Sequence, residues 1–273
     1  MNQVTDQQII EILRKEAVPA LGCTEPVACA LACAKCKEVL GGVPERLDVL
    51  VSGNIYKNGM GVGIPGTGMV GLPIAAALGA VCGKSEYGLE VLKEVNVGDN
   101  LQRAKDMLGQ VTVSLKEDAP DKLYAEALAT KGNDTVKVVI AHTHTNIVLV
   151  EKNGEEIFKR EFRLDTSKPE DKGPELSVKR IWDFVHEVDV KDIEFVLQGA
   201  EMNKAISAEG LNSEYGLQIG KTLKENIDKG LLEDDLLNRP LIRATAASDA
   251  RMDGCPKPVM TNSGSGNQGI TVY

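Results

Sequence analysis

The stretch "TVKVVIAHTHTNIVLVE" at residues 135–151 decides the predicted fold, because apolar and polar residues alternate along it. Alternation with a period of two is typical of a β-strand with one buried face. Three further strand patterns surround it, and the turn sequences "KGND" and "KNGE" separate neighbouring strands: "VTVSL" (111–115), "LYAEALAT" (123–130) and "EEIFKREF" (155–162). The region predicts an antiparallel meander with one face in water.

Helical spacing of apolar residues flanks this meander, at 6–16, 27–40 and again from 174 to about 251. The exception is "LDVLVSGNIY" (47–56), which predicts a buried strand. We therefore predict an α+β fold in which a discontinuous helical domain carries an inserted α/β domain with an antiparallel sheet. The predicted boundaries are 1–95 and 169–273 for the helical domain and 96–168 for the insertion.

The composition excludes several classes of function. The chain has 273 residues, 42% hydrophobic residues, 4% aromatic residues and a net charge of -9, so it lacks the basic patches and aromatic platforms of nucleic-acid binding. No run of about 18 apolar residues predicts a membrane span. The polar start "MNQVTDQQ" predicts no secretory signal, which places the protein in the cytoplasm and its six cysteines in the reduced state.

Three of those cysteines form "CALACAKC" at residues 29–36, the C-x3-C-x2-C spacing of radical-SAM enzymes. In a helix, however, Cys29, Cys33 and Cys36 lie along one face with nearly parallel side chains, whereas ligands of one cluster must converge. Cysteine also packs well as a small apolar residue. The spacing favours core packing over iron binding.

Two glycine-rich stretches match the pattern G-x-G-x-x-G, "GVGIPG" (61–66) and "GSGNQG" (264–269). In a dinucleotide-binding fold a strand precedes this motif and a helix begins within it. Pro65 interrupts the first match, the next helix is predicted to start at Pro73, and no strand is predicted directly before the second match. Binding of a small anion by the loop amides, for instance a carboxylate, is favoured over nucleotide binding.

Cys23 in "GCTEP" (22–26) lies in a turn just ahead of a helix. Free amides and the helix dipole favour a thiolate there, which suits a nucleophile or a metal ligand. The alternative is an inert, capped loop cysteine.

The three histidines give weaker signals. "HTHTN" (142–146) predicts His142 and His144 on one face of a strand, where they would bind a metal only with a third ligand. The alternative is ordinary polar alternation on a half-exposed sheet. His186, alone in an amphipathic helix, is predicted to be a boundary residue.

Arg251 has two readings. It either clamps a carboxylate through its planar guanidinium or forms a structural ion pair with Asp249 or Asp253. Cys255, between a glycine and a proline, is predicted to be structural.

At "GCTEP", "GIPGTG", "HTHTN" and above all "PVMTNSGSGNQG", the sequence resembles the iron–sulfur L-cysteine desulfidase family, which is related to the α-subunit of iron–sulfur L-serine dehydratases. The resemblance implies a lyase that converts L-cysteine to pyruvate, hydrogen sulfide and ammonia without pyridoxal phosphate. It makes the discontinuous helical domain the catalytic domain. It also implies a 4Fe-4S cluster held by three cysteines, with one iron open to the substrate. Cys23 takes the first ligand position, and the other two are expected beyond residue 273, so the chain is expected to be C-terminally truncated.

The same resemblance implies an amino-acid site with Glu25 or His144 as the base. The residues expected to hold the substrate are Gly66, Thr67, Asn262, Ser263, Gly264, Ser265, Gly266, Asn267 and Gln268. Two alternatives stay open: a deaminase of the L-serine dehydratase type, and a cluster-free module that binds a small molecule. The Ala- and Gly-rich helices permit the close packing of a homodimer.

Overall fold

The computed structural model describes residues 4–160 and 176–273 of the chain. Its α-helices are α1 (Asp6–Glu16), α2 (Thr24–Leu40), α3 (Gly53–Gly59), α4 (Leu72–Val81), α5 (Asn100–Met107), α6 (Val178–Glu187), α7 (Val190–Ile193), α8 (Leu197–Asn212), α9 (Ile219–Asp228), α10 (Asn238–Met252) and α11 (Gly266–Val272). Short 3-10 helices lie at Ser85–Glu90, Leu108–Gln110 and Glu194–Val196.

Six strands build the main sheet: β2 (Arg46–Val51), β5 (Val111–Leu115), β6 (Tyr124–Lys131), β7 (Asp134–Ala141), β8 (Ile147–Lys152) and β9 (Glu155–Lys159). Their order is β5-β2-β6-β7-β8-β9. Four short strands form two small antiparallel pairs, β1 (Pro19–Ala20) with β10 (Val259–Met260) and β3 (Gly63–Ile64) with β4 (Met69–Val70). The mixture of helices and strands confirms the predicted fold class.

The predicted antiparallel meander is present as β6 to β9, except that the single strand predicted at 135–151 is divided into β7 and β8. Gly132 (φ 58°), Asn153 (φ 54°) and Gly154 (φ 84°) turn the chain in the two predicted turn sequences. The first predicted strand, β5, differs because it pairs in parallel with β2 at the edge of the sheet. The chain between β2 and β5 contains three helices, which is the long crossover that a parallel pair requires.

The main core lies between one face of this sheet and helices α2 and α4. Cys29, Cys33 and Cys36 of α2 are fully buried there, and the Cys36 thiol donates weakly to the carbonyl of Ala127 at 3.5 Å. A Cβ atom at Gly79 of α4 would collide with the backbone of α2, so the absence of a side chain sets the close spacing of the two helices. The predicted core packing of the three cysteines is confirmed.

A second core joins α8, α10 and α11, and its buried members are Ile206, Ala247, Ala250, Cys255, Val259 and Ile270. Helix α1 packs separately, through Ile9 and Ile10, against Phe184 of α6. The two ends of the chain meet where β1 pairs with β10. The Thr261 hydroxyl donates to the carbonyl of Val18 at 2.7 Å beside that pair.

Strand β2, which belongs to the first predicted segment, lies in the interior of the main sheet between β5 and β6. The domain boundaries themselves stay predictions, and the one at 168/169 lies outside the described residues. The homodimer and the cytoplasmic location also stay predictions. Within residues 4–160 and 176–273, none of the helices has both the length and the apolar character needed to cross a membrane.

Candidate active site

The "GCTEP" loop delivers Cys23 to the N-cap of α2, which begins at Thr24, three residues earlier than the start predicted at Val27. Pro26 is accommodated in the first turn, where its missing N–H costs nothing. The Cys23 thiol donates to Glu25 Oε2 at 2.7 Å, and the side-chain amide of Asn58 donates to Glu25 Oε1 at 3.2 Å. Thiol and carboxylate therefore form one hydrogen-bonded pair at the start of α2.

The proton of this pair rests on sulfur. Burial, followed by the adjacent Glu25 carboxylate, raises the pKa of Cys23 to about 12, although Arg251 opposes the change. Burial alone would raise the pKa of Glu25, but hydrogen bonds from Cys23, its own backbone and Asn58 outweigh it, so that this pKa is lowered. The expectation of a thiolate stabilised by the helix end is wrong for this environment, because desolvation and a neighbouring anion dominate.

"HTHTN" does not continue the strand. Strand β7 ends at Ala141 and β8 begins at Ile147, so the five residues form the reversal between them, with His142 at φ 70°. The backbone N–H of His142 donates to Asp121 Oδ2 at 2.9 Å, and its Nδ1 lies 2.8 Å from the same oxygen. The prediction that both histidines share one strand face is wrong, because the hairpin must turn here.

His144 belongs instead with the "GCTEP" loop. It interacts electrostatically with both Glu25 and Arg251, and a Cβ atom at Gly264 would lie 3.8 Å from its Nδ1. Burial lowers the pKa of His144, which outweighs the opposing effect of Glu25, and Arg251 lowers it further. The imidazole is therefore neutral at pH 7 and has a free nitrogen lone pair.

Arg251 is buried, and its guanidinium connects the first and last motifs of the chain. Its Nη2 donates to the carbonyl of Gly22 at 3.0 Å, and its Nη1 donates to Asn267 Oδ1 at 2.9 Å. Burial lowers the pKa of Arg251, and the nearby Cys23 and Glu25 oppose that effect.

The two acidic residues that were alternative partners of Arg251 are engaged elsewhere. Asp249 Oδ2 accepts from the backbone N–H of Ile219 at 2.6 Å, and Asp253 Oδ2 accepts from that of Gly216 at 3.1 Å. Both carboxylates thus fix the turn that leads into α9. The ion-pair reading of Arg251 is wrong, and its reading as a carboxylate clamp remains.

The terminal motif is a tight turn followed by a helix. Ser263 (φ 49°) and Gly264 (φ 74°) reverse the chain, and Ser265 Oγ accepts from the backbone N–H of Gln268 at 3.2 Å as the cap of α11. The short strand β10 comes before this turn, which the sequence did not predict, but it pairs only with β1. A Cβ atom at Gly266 would lie 2.5 Å from Cζ and Nε of Arg251, so only glycine fits there. Asn262 closes the turn through mutual backbone hydrogen bonds with Ser265.

"GIPGTG" forms the β3–β4 hairpin behind the first loop. A Cβ atom at Gly22 would lie 2.7 Å from Pro65 of this hairpin, and the backbone N–H of Gly66 donates to the carbonyl of Gly254 at 3.2 Å. The Thr67 hydroxyl donates within its own turn to the carbonyl of Ile64 at 2.7 Å. The hairpin supports the "GCTEP" loop from behind, and substrate contacts of Gly66 and Thr67 stay a prediction.

We call Cys23, Glu25, His144 and Arg251 the tetrad. Cys23 and Arg251 are buried, while Glu25 and His144 are half-buried, so solvent reaches the tetrad at these two side chains. A groove of about 860 Å³ is lined mainly by residues 191–205, and none of the tetrad lines it. His186, predicted as a boundary residue, is exposed on α6 and its Nδ1 lies 2.8 Å from the Trp182 carbonyl oxygen.

Cys23 is the thiol to which the family resemblance assigns an iron–sulfur cluster, and that ligand role stays a prediction. Within the part of the chain that the structure describes, no three His, Cys, Asp or Glu side chains are grouped so that they could hold a metal ion. A four-iron cluster needs three thiolates by the family pattern, and the other cysteines at the core positions of α2 are fully buried against the sheet. The described residues therefore do not form a complete ligand set for such a cluster.

The sequence did not predict two residues that contribute to the site. Asn58, on exposed helix α3, donates to Glu25, and the carbonyl of Gly22 accepts from Arg251. Neither has a local signal, because each depends on a contact between segments far apart in the chain.

The sequence model of the serine dehydratase alpha chain family matches residues 86–273. That match includes "HTHTN" and the terminal motif, whereas "GCTEP" and "GIPGTG" lie before it. No solved structure matches the chain.

Similar full-length proteins extend the likeness to nearly the whole chain. A UPF0597 protein of Actinobacillus pleuropneumoniae serotype 3 is 49% identical over 268 residues, which cover 97% of this chain and 62% of that protein. UPF0597 proteins of Dichelobacter nodosus (48% identical, 98% of this chain, 62% of the relative) and Parabacteroides distasonis (46%, 99% and 63%) give the same picture. The chain thus spans about three fifths of the length of these relatives. The matches agree with the resemblance carried by the four motifs, and the chain belongs to the serine dehydratase alpha chain family.

Proposed function

We propose that the tetrad is the centre of an amino-acid site and that the protein is a β-eliminating lyase that converts L-cysteine to pyruvate, hydrogen sulfide and ammonia. The observation that carries the proposal is the convergence of all four resemblance motifs. Three of them deliver Cys23, Glu25, His144 and Gly266 around Arg251, and the fourth, "GIPGTG", abuts the first.

The acid–base roles follow from the protonation states. Removal of a Cα proton needs a neutral or anionic base that carries a free lone pair near pH 7. His144 meets this requirement because its lowered pKa keeps the imidazole neutral. Glu25 is also unprotonated, but its oxygens already accept from Cys23 and Asn58. We therefore assign His144 as the base and Glu25 as the anion that stabilises the imidazolium formed.

Substrate orientation falls to the terminal loop and Arg251. The backbone N–H groups of Asn262 and Ser265 donate to each other's carbonyl oxygens within the turn, so we assign contacts with the amino and carboxyl groups of a small amino acid to the remaining amides of the turn and to Arg251. That places the Cα–H bond toward His144. Loss of the Cα proton and of sulfide yields aminoacrylate, which water hydrolyses to pyruvate and ammonia.

An iron–sulfur cluster, when bound, supplies a Lewis acid for the leaving sulfur. Cys23 would donate one thiolate to it, after giving up the proton that it now shares with Glu25. The remaining two ligands of the family pattern are not among the described residues at this site. The activity is therefore proposed for the protein as the cell makes it, since the relatives are longer than this chain.

L-serine is the second candidate substrate, favoured by the match to the serine dehydratase alpha chain. The same base and orienting residues serve both substrates, and the two differ only in the leaving atom. Iron prefers the softer sulfur when thiolate ligands surround it, which favours cysteine.

Turnover measured without oxygen tests the proposal. Protein purified as the cell makes it and supplied with iron and sulfide is assayed for pyruvate from L-cysteine and from L-serine, and for sulfide from L-cysteine. We expect His144→Gln to lower kcat by about 100-fold or more, the range of a general base, and the exposed His186→Gln control to leave it unchanged. Absence of pyruvate from both substrates would point to a binding module, and full activity of His144→Gln would remove it as the base.

A further inference from the structure

Arg251 carries a buried positive charge that the protein does not neutralise directly. The residue is 4% exposed, and no described carboxylate forms an ion pair with its guanidinium. A buried charge without a partner costs several kcal/mol. Asp249 and Asp253 are close to Arg251 in the sequence. Their carboxylates accept instead from backbone amides of the turn before α9, and neither forms an ion pair with Arg251.

The donors of the guanidinium show where a partner is missing. Nη1 is taken by Asn267 and Nη2 by the carbonyl of Gly22, both neutral acceptors. Nε is buried and has no hydrogen-bond partner among the described residues, although the guanidinium interacts with the Cys23 sulfur, which is neutral while it keeps its proton. Buried polar groups are nearly always satisfied, and an orphaned donor next to an uncompensated cation calls for an anionic acceptor.

Glu25 does not fill this role. Its oxygens accept from Cys23, Thr24 and Asn58, and it lies outside ion-pair distance of Arg251 although the two interact electrostatically. Nε is therefore a donor beside the charged groups of the tetrad that no acceptor among the described residues uses.

We infer that Arg251 is a substrate-binding residue that receives the α-carboxylate of the amino acid at Nε. A planar carboxylate suits the planar guanidinium, and a charge-assisted bond in a buried site is among the strongest that a small ligand can make. The identification of the ligand as an amino acid rests on the proposed function; the requirement for a carboxylate rests on Arg251 alone.

Gly266 holds the guanidinium in its place. A Cβ atom at this position would lie 2.5 Å from Cζ and Nε, so any side chain at 266 would push the guanidinium of Arg251 away from Gly22 and Asn267. Gly266 of the terminal motif therefore leaves the space that the Arg251 guanidinium occupies, which differs from a backbone contact with the substrate.

Binding of pyruvate, the carboxylate product, provides a test that needs no turnover. The 273-residue chain labelled with 15N is titrated with pyruvate and with pyruvamide, in which a neutral amide replaces the carboxylate. We expect pyruvate, and not pyruvamide, to shift the Nε–H resonance of Arg251. Calorimetry should give a dissociation constant about 30-fold or more weaker for Arg251→Gln. It should be intermediate for Arg251→Lys, which keeps the charge without the fork, and unchanged for the exposed Arg243→Gln on the same helix.

The outcomes separate this inference from the proposed function. Equal affinity of wild type, Arg251→Gln and Arg251→Lys for pyruvate, or no binding of pyruvate by the wild type, overturns the role of Arg251, even if L-cysteine is turned over. A pyruvate-induced shift of the Arg251 Nε–H resonance, in a protein that turns over neither amino acid, would support the carboxylate site and contradict the proposed lyase activity. If Arg251→Gln does not fold, as judged by circular dichroism, two comparisons decide: the affinity of Arg251→Lys against that of the wild type, and the binding of pyruvate against that of pyruvamide.

Discussion

Cys23 occupies the N-cap of α2, where the helix dipole favours an anion, yet its thiol keeps its proton. The rise of its pKa from 9.0 to about 12 corresponds to about 4 kcal/mol against the thiolate. A helix end contributes at most about 2 kcal/mol in favourable, partly buried geometry. Burial and the Glu25 carboxylate therefore outweigh the helix dipole, and the thiol keeps its proton. The sulfur would bind a metal ion only if the cation displaced that proton.

Alkylation measures this balance directly. In protein stripped of metal with a chelator, we expect Cys23 to react slowly with iodoacetamide at pH 8, and Glu25→Gln to react several-fold faster because the anion that raises its pKa is gone. Cys82 is the internal reference, since Glu25 is not among the charges that act on it. Mass spectrometry resolves the two sites, and an unchanged rate at Cys23 would contradict the assigned electrostatics.

His144 gives a pH dependence with a defined sign. A base acts when deprotonated, and since burial lowers the pKa of His144, its ring should titrate below the ordinary 6.5 and stay neutral through physiological pH. Glu25→Gln removes the negative charge that raises the pKa of His144, so the midpoint should fall further. NMR of the ring protons follows it, and Glu155→Gln at the far end of the β8–β9 hairpin should leave it unchanged. A midpoint that rises in Glu25→Gln would refute the pairing of these residues.

At the scale of elements, the site depends on how tightly α4 packs on α2. Gly79 faces the backbone of Ala30, so that the helix carrying Cys23 and Glu25 at its start is held at a spacing only glycine allows. Helix α2 in turn lies on β6 and β7, and β7 leads into the turn that carries His144.

Gly79→Ala should therefore destabilise the fold. An added methyl group in a packed core costs about 1–3 kcal/mol through strain and backbone shifts. Gly109→Ala is the matched control, because nothing lies within 4 Å of the added Cβ and its φ is not positive. Urea unfolding followed by circular dichroism compares their midpoints, and equal midpoints would show that the α2–α4 spacing is not set at Gly79.

Local patterns were sufficient for most elements and failed where contacts are remote. The period of two predicted β6, β9 and the β7–β8 region, the last as one strand, and Ala-rich or amphipathic spacing predicted α1, α2 and α4. Alternation continued through "HTHTN", so the sequence gave no sign of the reversal between β7 and β8. The parallel pairing of β5 with β2 was missed because it joins segments about 60 residues apart, and pairing partners are not encoded in either strand alone.

The same limit applies to the site. Glu25 and His144 were candidates because motif resemblance singled them out, and the fold brings them together. For Arg251 the sequence left two readings, since the choice depends on Asp249 and Asp253 capping the turn before α9. Asn58 was not a candidate, because an asparagine on an exposed helix carries no signal until its partner is known.

At the scale of the whole molecule, the site exists only where the first and last parts of the chain meet. Arg251 bonds to Gly22, 229 residues away, and Thr261 bonds to Val18 beside the β1–β10 pair. The hairpin turn of the sheet adds His144 from the middle of the sequence. We therefore propose, as the central claim, that these distant loops form a single amino-acid site.

Chemical-shift mapping with L-serine tests that claim most directly. In the 15N-labelled chain, we predict that L-serine shifts backbone amides in all three regions together, at 22–25, at 142–146 and at 251–267, with a common dissociation constant. The groove lined by residues 191–205 should show no change. Shifts confined to one loop, or centred on that groove, would contradict a site shared by the four motifs.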